Sequence, residues 1–264
     1  MHRPRSAMEA VALKAAAGAG AVFMAGGIDV VNRMKFGASV TEVIYLGSID
    51  GLDRIEEREG GLRLGTLVTH DRLATSPQVG ARLPSLARTW PDVANIRIRC
   101  KGTIGGNIMA GDPSYDFALA AMAADAQLQF LTLDGNPVLF AAVEGVANQV
   151  GLLTAIVFPA GSTLRLLFDR SLRPIVTLAL GLDFIDGRIT GGRAAIGCAY
   201  PVRVAAKLPF DEPLPPVELA RRAARLAQAV AAELPEPLTD HHASSGYRRR
   251  MIELLLHRNL GALA

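Results

Sequence analysis

The sequence of 264 residues contains very little cysteine. Only Cys100 and Cys198 occur, without a CxxC pair and without a histidine pair at metal-ligand spacing. An iron–sulfur cluster of the common type needs about four thiolates, so this chain by itself cannot hold one. So few cysteines also suit a reduced setting, and we expect a cytoplasmic protein.

A strong net charge is also absent. The formal charge is +3 at pH 7, and the basic residues are dispersed except for Arg248 to Arg250, which follow Tyr247. This is weak support for binding to nucleic acid, because such binding usually needs a concentrated basic surface. A solvated helix face or a subunit contact explains the arginine cluster better.

The sequence has no long apolar run. No uninterrupted stretch approaches the about 20 apolar residues that a membrane-spanning helix needs. The alanine-rich amino terminus is interrupted by Glu9 and Lys14, so we expect neither a signal peptide nor a membrane span.

Two common nucleotide-binding fingerprints are missing as well. GxGxxG does not occur, and the segment "GTIGGN" lacks the GKS or GKT ending of a P-loop. A nucleotide bound to this chain would therefore not be held in the Rossmann or Walker manner.

Hydrophobic residues make up 50% of the chain and charged residues 20%, which is enough to bury the core of one large domain or two smaller ones. Asp134-Gly135 and Asp186-Gly187 each separate two apolar stretches and predict β-hairpins. Two helices are expected within Pro216 to Leu234 and Ser244 to Leu260, after the last strands. This order predicts an α+β fold.

The first glycine segment, Ala25 to Val30, reads "AGGIDV" and follows a predicted strand. Consecutive glycines permit positive φ and let backbone amides converge on an anion. A helix beginning near Asp29 would add its free amides and its positive end. An ordinary turn with Asp29 as N-cap is the alternative.

The second glycine segment, Gly102 to Asn107, reads "GTIGGN". Its glycines permit the same close approach, while Thr103 and Asn107 offer hydroxyl and amide groups for phosphate or ribityl oxygens. Asp116 follows just before the apolar stretch "FALAAMAADA", as an N-cap or as an acceptor for ligand hydroxyls. Alone, this segment could also be an ordinary turn.

Together, the segments "AGGIDVVNRMKFG", "LRLGTLVTHDRL", "IRIRCKGTIGGNIMAGDPSYD" and "YRRRMIELLL", in that order, resemble the FAD-binding medium subunit of molybdenum hydroxylases. This is the family of the carbon monoxide dehydrogenase and xanthine dehydrogenase flavoproteins. The resemblance spans nearly the whole chain.

The resemblance implies a two-part FAD-binding region of the vanillyl-alcohol-oxidase (PCMH) type over residues 1–161, divided roughly into 1–50 and 51–161. A smaller α+β domain, an antiparallel sheet with helices, would occupy residues 162–264. This division agrees with the predicted order of strands and helices.

The resemblance also implies which residues hold FAD. Backbone amides of both glycine segments would bind the pyrophosphate and neighbouring oxygens, Asp116 would bind adenosine hydroxyls, and Leu152 or Leu153 would touch the adenine. The implied cofactor-binding residues are Ala25, Gly26, Gly27, Ile28, Asp29, Val30, Thr103, Ile104, Gly105, Gly106, Asn107, Asp116 and Leu153.

Three departures from the family pattern stand out. Ile28 replaces a polar residue that commonly follows the two glycines, which matters little if that position contributes its amide. Cys100 replaces a common asparagine and is interpreted as a semi-buried thiol under the loop. Pro174 lies where a flavin-stacking residue would be sought, so none is assigned.

The function implied is an electron-transfer subunit of a heteromeric oxidoreductase, with no side chain needed as catalytic acid or base. The molybdenum cofactor would be on a large subunit and the [2Fe-2S] clusters on a small subunit, and FAD would pass electrons to NAD or another acceptor. The alternatives are a structural subunit that has lost tight FAD binding and a stand-alone flavin oxidoreductase. His70 is interpreted as a capping or surface residue, and neither it nor His241-His242 is assigned to catalysis or metal binding.

Overall fold

The computed structural model describes residues 1–144, 151–160, 163–171 and 175–263. The predicted domain boundary between residues 161 and 162 lies outside the described residues, as does Pro174.

The amino-terminal part is a small sheet covered by a helix. Ser6 begins that helix by accepting a hydrogen bond from the Glu9 amide at 3.1 Å, and Gly18, with φ of 71°, ends it. Ile44 lies at the centre of the apolar cluster formed here. The elements are α1 (Ala7–Ala17), β1 (Ala21–Met24), α2 (Ile28–Lys35) and β2 (Glu42–Tyr45), and the two strands pair in parallel.

The middle part is a five-stranded antiparallel sheet with several short helices. The predicted Asp134-Gly135 hairpin is confirmed, because Gly135 has φ of 83° and the flanking strands pair. The elements are β3 (Ile55–Arg58), β4 (Gly61–Gly65), α3 (His70–Thr75), α4 (Pro77–Arg82), α5 (Pro84–Thr89), α6 (Ile96–Lys101), α7 (Ile104–Met109), α8 (Asp116–Ala123), β5 (Gln127–Leu131), β6 (Pro137–Ala141) and β7 (Leu152–Pro159), and the strand order is β3-β4-β7-β5-β6.

The carboxyl-terminal part is a four-stranded antiparallel sheet covered by helices, so the predicted α+β fold is confirmed. Gly187, with φ of 73°, makes the predicted turn between the two longest strands. The elements are β8 (Thr163–Arg170), β9 (Thr177–Ile185), β10 (Arg188–Gly197), β11 (Val204–Lys207), α9 (Pro216–Arg221), α10 (Ala223–Glu233) and α11 (Ser245–Gly261), and the strand order is β11-β10-β9-β8.

Helix α8 is buried on all sides between the two larger sheets. Every residue from Phe117 to Ala123 is buried, as expected for a helix that is apolar all round. A β-carbon on Gly181 in β9 would lie 2.1 Å from the Ala123 carbonyl oxygen, so the helix and the carboxyl-terminal sheet are in close backbone contact. No helix in the described part of the chain is long and apolar enough to cross a membrane.

Arg248, the first arginine of the cluster in α11, is not exposed to solvent. Arg248 is only 2% exposed and donates hydrogen bonds to the carbonyl oxygens of Ile175 and Cys198, both at 2.8 Å, and to Asp240 at 2.6 Å. The expectation of a solvated helix face or a subunit contact is therefore wrong for Arg248. Arg248 instead ties α11 to segments beside the carboxyl-terminal sheet.

Candidate functional site

The two glycine segments are in direct contact. A β-carbon built on Gly26 would lie 1.6 Å from the carbonyl oxygen of Lys101 and 2.6 Å from its carbonyl carbon. Real β-carbons never approach so closely, so Gly26 is required by space alone. The chain entering the second glycine segment therefore rests directly against the first.

The first glycine segment ends in a helix whose first amides are free. Gly27, with φ of 78°, is the N-cap of α2, and no side chain caps this helix. The amides of Ile28, Asp29 and Val30 have no hydrogen-bond partner among the described residues, while the next amide donates to the Gly27 carbonyl oxygen. Unpaired amides at the positive end of a helix favour an anion such as phosphate.

Ile28 takes part in this arrangement through its backbone. Its side chain is 38% exposed, and its amide is the first of the free amides of α2. The replacement of a polar residue at this position therefore leaves the row of donors intact. The segment begins at Ala25, which is half-buried.

Asp29 is not an N-cap, because Gly27 occupies that position. Its carboxylate pairs with Arg33 Nε at 2.7 Å and accepts a hydrogen bond from the Tyr115 hydroxyl at 3.2 Å. Burial, reinforced by the Asp29 charge, raises the pKa of Tyr115 to about 12. Arg33 also donates to the Ala110 carbonyl oxygen. These contacts hold the start of α2 against the loop that follows α7.

The second glycine segment begins a helix, α7, rather than a turn. Thr103 is its N-cap, and its hydroxyl accepts a hydrogen bond from the Gly106 amide at 3.1 Å. The amides of Ile104 and Gly105 donate to the carbonyl oxygens of Val68 at 2.9 Å and Thr66 at 3.0 Å. The Asn107 amide donates to the Thr103 carbonyl oxygen at 2.9 Å.

The prediction that the amides of Thr103 to Asn107 form a second free row for pyrophosphate is therefore revised. From Ile104 onward these amides already have protein partners, because an antiparallel bridge between Thr69 and Thr103 leads the chain into α7. A ligand could still approach this segment closely, but these amides would not be free to donate hydrogen bonds to it.

The two adjacent glycines of α7 face different surroundings. A β-carbon on Gly105 would lie 1.7 Å from the Thr66 hydroxyl oxygen, so Gly105 is required for packing inside the protein. Within 4 Å of a β-carbon on Gly106, the described residues outside the helix's own backbone place only Thr103 Oγ1, at 3.0 Å. Gly106 thus leaves open space beside the Thr103 hydroxyl, where a ligand can approach the backbone.

Asn107 supports the structure through its side chain. Its Oδ1 accepts hydrogen bonds from the amides of Phe117 at 3.0 Å and Ala118 at 3.3 Å, and so satisfies the start of α8. The predicted donation from this side chain to a ligand would have to use the remaining amide nitrogen.

Replacing Asn107 with Ala should lower the free energy of unfolding by about 1 kcal/mol, because two amides at the start of α8 lose their acceptor. Urea denaturation measures this change. Asn107→Asp keeps an acceptor at the same position and should remain close to the parent protein. Equal losses in both variants would contradict a capping role.

Asp116 is the first residue of α8, whose N-cap is Tyr115, so the N-cap reading of Asp116 is wrong. Its carboxyl group makes no hydrogen bond within the described part of the chain. Burial raises its pKa to about 6, against the opposing charges of Arg170 and Arg203. The structure therefore holds a half-buried carboxyl group whose acceptor positions are free for a ligand.

Leu152 and Leu153 are 3% and 2% exposed, and Ile104 is fully buried. All three side chains lie in apolar clusters of the protein interior. An adenine contact by Leu153 stays a prediction, and its side-chain position gives it no support.

His70 is buried against the second glycine segment, a contact that the sequence analysis did not predict. It is 5% exposed, its amide donates to the Gly102 carbonyl oxygen at 3.1 Å, and its Nδ1 accepts a hydrogen bond from Trp90 Nε1 at 3.2 Å. Burial lowers the pKa of His70 to about 4, so the imidazole is neutral at pH 7. The capping residue of α3 is Thr69. The interpretation of His70 as a capping or surface residue is therefore wrong.

Cys100 differs from its interpretation too, because it is exposed rather than semi-buried. It lies in α6 beside Lys101, at the approach to the second glycine segment.

A separate cleft of about 760 Å³ lies on the outer face of the five-stranded sheet. Arg54, Arg58 and Arg63 line it around Glu56, and a hydrogen bond from Arg58, together with the three charges, lowers the pKa of that carboxyl group. None of the predicted cofactor-binding residues lines this cleft.

The chain is similar to curated proteins over most of its length. It is 28% identical to the carbon monoxide dehydrogenase medium chain of Afipia carboxidovorans, covering 97% of this chain and 93% of that one. It is 27% identical to the nicotine 6-hydroxylase medium subunit of Paenarthrobacter nicotinovorans, covering 84% of this chain and 82% of the other.

A chain in the solved structure of reconstituted CO dehydrogenase from Oligotropha carboxidovorans has the same fold. Its TM-score is 0.85 with 26% identity, covering 100% of this chain and 97% of that one. The family model described as the FAD binding domain in molybdopterin dehydrogenase matches residues 1–159. The resemblance read from the glycine segments is thus confirmed, and the chain belongs to the FAD-binding, medium-subunit family of the molybdopterin dehydrogenases.

Proposed function

We propose that this chain is the electron-transfer flavoprotein subunit of a molybdenum-containing hydroxylase or dehydrogenase. The observation that carries the proposal is the contact of the two glycine segments at Gly26, which lies directly before the helix whose first amides are free. Family membership supplies the cofactor that such an arrangement would hold, FAD.

The described residues fit this cofactor. The amides of Ile28, Asp29 and Val30 would bind the pyrophosphate, and the space beside Gly106 and the Thr103 hydroxyl would admit neighbouring oxygens. The Asp116 carboxylate, with no hydrogen-bond partner in the described part of the chain, would accept hydrogen bonds from adenosine hydroxyls. Bound FAD would supply the electron-transfer chemistry, and the chain would hold and orient it.

The proposal includes partners. Electrons would arrive from an iron–sulfur small subunit, with the molybdenum cofactor on a large subunit, and would leave to NAD or another acceptor. Two cysteines are too few for a [2Fe-2S] cluster on this chain, and relatives are named as medium chains or medium subunits. Substrate oxidation would accordingly take place on another chain.

Two apolar clusters agree with the proposed division at residues 1–161 and 162–264. Leu226, Val230 and Leu256 lie in a cluster of the carboxyl-terminal part, and Ile44 lies in a cluster of the amino-terminal part. The largest cluster, around α8 and the middle sheet, crosses the boundary, because it also includes Leu164, Leu166, Ala179 and Ala195.

The visible absorbance spectrum of the purified chain, before and after incubation with FAD and removal of the excess, tests the proposal. We expect flavin bands with one FAD per chain. A folded chain that stays colourless but still binds its partner subunits would instead support the structural alternative. The paired amides from Ile104 to Asn107 are the feature that favours this alternative, because they reduce the number of free donors.

A further inference from the structure

The loop between α7 and α8 is held by the carboxyl-terminal part of the chain. The Cys198 amide donates to the Pro113 carbonyl oxygen at 3.2 Å, and a β-carbon on Gly197 would lie 2.6 Å from that same oxygen. Arg203 Nη2 donates to the carbonyl oxygen of Asp112. The loop that leads to Asp116 is therefore fixed by residues outside the span matched by the family model.

The burial of the Arg203 guanidinium group is energetically unfavourable. Its Nε is buried and has no hydrogen-bond partner in the described part of the chain. Burial lowers the pKa of Arg203, while the charges of Asp112, Cys198 and Asp116 act in the opposite direction. A desolvated cation with an unpaired N–H group is unfavourable unless nearby negative charge compensates it. The compensating carboxyl groups are those of Asp112 and Asp116, on the loop itself and at its end.

We propose that Arg203 is a positioning residue for FAD: through the Asp112 carbonyl oxygen it fixes the loop that leads to Asp116, and so places the Asp116 carboxyl group for hydrogen bonds from the adenosine hydroxyls. This inference rests on the proposed function, because it assigns Asp116 to the same cofactor. It makes the carboxyl-terminal part of the chain a contributor to the adenosine end of the site.

The charges around Asp116 give this role a pH dependence. Arg170 of β8 and Arg203 favour its ionised form, while burial opposes it and places its pKa at about 6. Asp112 lies on the adjoining loop. Burial raises the pKa of the Cys198 thiol, and the charges of Asp116 and Asp112 add to this effect. An ionised carboxylate is the better acceptor for hydroxyl groups, so FAD affinity should fall as the pH falls through about 6. Loss of the Arg203 charge should move this midpoint to higher pH.

The experiment is an FAD titration of the full chain at several pH values, followed by flavin fluorescence. For Arg203→Met we expect about tenfold weaker binding near pH 8, as for one lost charge-assisted interaction, and a midpoint at higher pH. Arg203→Lys keeps the charge without the planar fork, and should keep the midpoint while losing part of the affinity. The control is Arg250→Met, which removes an exposed arginine whose ion pair with Glu253 spans 3.0 Å.

If the parent chain binds FAD and Arg203→Met behaves like Arg250→Met in affinity and midpoint, the inference is overturned while the proposed function stands. If the parent chain binds no FAD, the proposed function fails. A double-mutant cycle then tests whether Arg203 and Asp116 are energetically coupled. Thermal unfolding of Arg203→Met, Asp116→Asn and the double variant should show coupling near pH 8 that disappears near pH 5, where Asp116 is protonated. Additive effects at both pH values would overturn the inference.

Discussion

The substitution Gly26→Ala is expected to lower the affinity for FAD by about a hundredfold or more, because amide hydrogen bonds to a phosphate are charge-assisted and several would be lost together. The added β-carbon would lie 1.6 Å from the Lys101 carbonyl oxygen, so the two glycine segments must separate. FAD titration followed by flavin fluorescence measures the effect. Because backbone atoms must move apart, we also expect a lower melting temperature, and circular dichroism at the temperature of the titration checks that the variant is folded.

The matched control for this prediction is Gly80→Ala. Gly80 lies within α4 of the middle part, and a β-carbon there would meet no atom of the described residues within 4 Å. This variant should bind FAD like the parent protein. Unchanged FAD binding by Gly26→Ala would refute the proposed approach of the cofactor to the joined glycine segments.

The substitution Arg248→Met is expected to cause a large loss of stability, about 3 kcal/mol, because two backbone carbonyl oxygens lose their hydrogen bonds from a buried charged donor. It would leave the carbonyl oxygens of Ile175 and Cys198 without their donors and would leave Asp240 without its cation. Urea denaturation followed by far-ultraviolet circular dichroism measures the change.

Arg221→Met is the control for Arg248→Met. The Arg221 side chain is 74% exposed, and its contact with Glu218 at 3.8 Å should contribute little to stability. A loss of less than about 1 kcal/mol for Arg248→Met would show that its buried hydrogen bonds are replaced elsewhere, since that is the range of an exposed ion pair.

Local chemistry predicted much of the fold. The hairpins at Asp134-Gly135 and Asp186-Gly187 were identified because an Asp-Gly pair between two apolar stretches favours a tight turn by itself. These features depend on neighbours in sequence, so one sequence suffices to find them.

Features that depend on distant contacts were not predicted. Paired glycines indicate a turn, but the pairing of Ile104 and Gly105 with the Val68 and Thr66 carbonyl oxygens makes the second glycine segment the start of a helix. The burial of His70 depends on Trp90, and the burial of Arg248 depends on acceptors outside its own helix. No local pattern reports such partners.

The candidate site, too, was predicted only where it depends on neighbours in sequence. The glycines at positions 26 and 27 have a local signature, and the sequence identified them directly. Whether an amide is free is decided by chain segments far away in sequence, so the free amides of α2 and the paired amides of α7 could not be distinguished.

The burial of α8 has a consequence for how the chain folds. Its side chains complete the interior beneath the middle sheet, while its backbone lies against Gly181 in the carboxyl-terminal sheet. Shortening the chain to the span matched by the family model would remove β8 to β11 and uncover an apolar, alanine-rich surface. Such a fragment should aggregate, and the intact chain should unfold in one cooperative transition because both sheets share this helix.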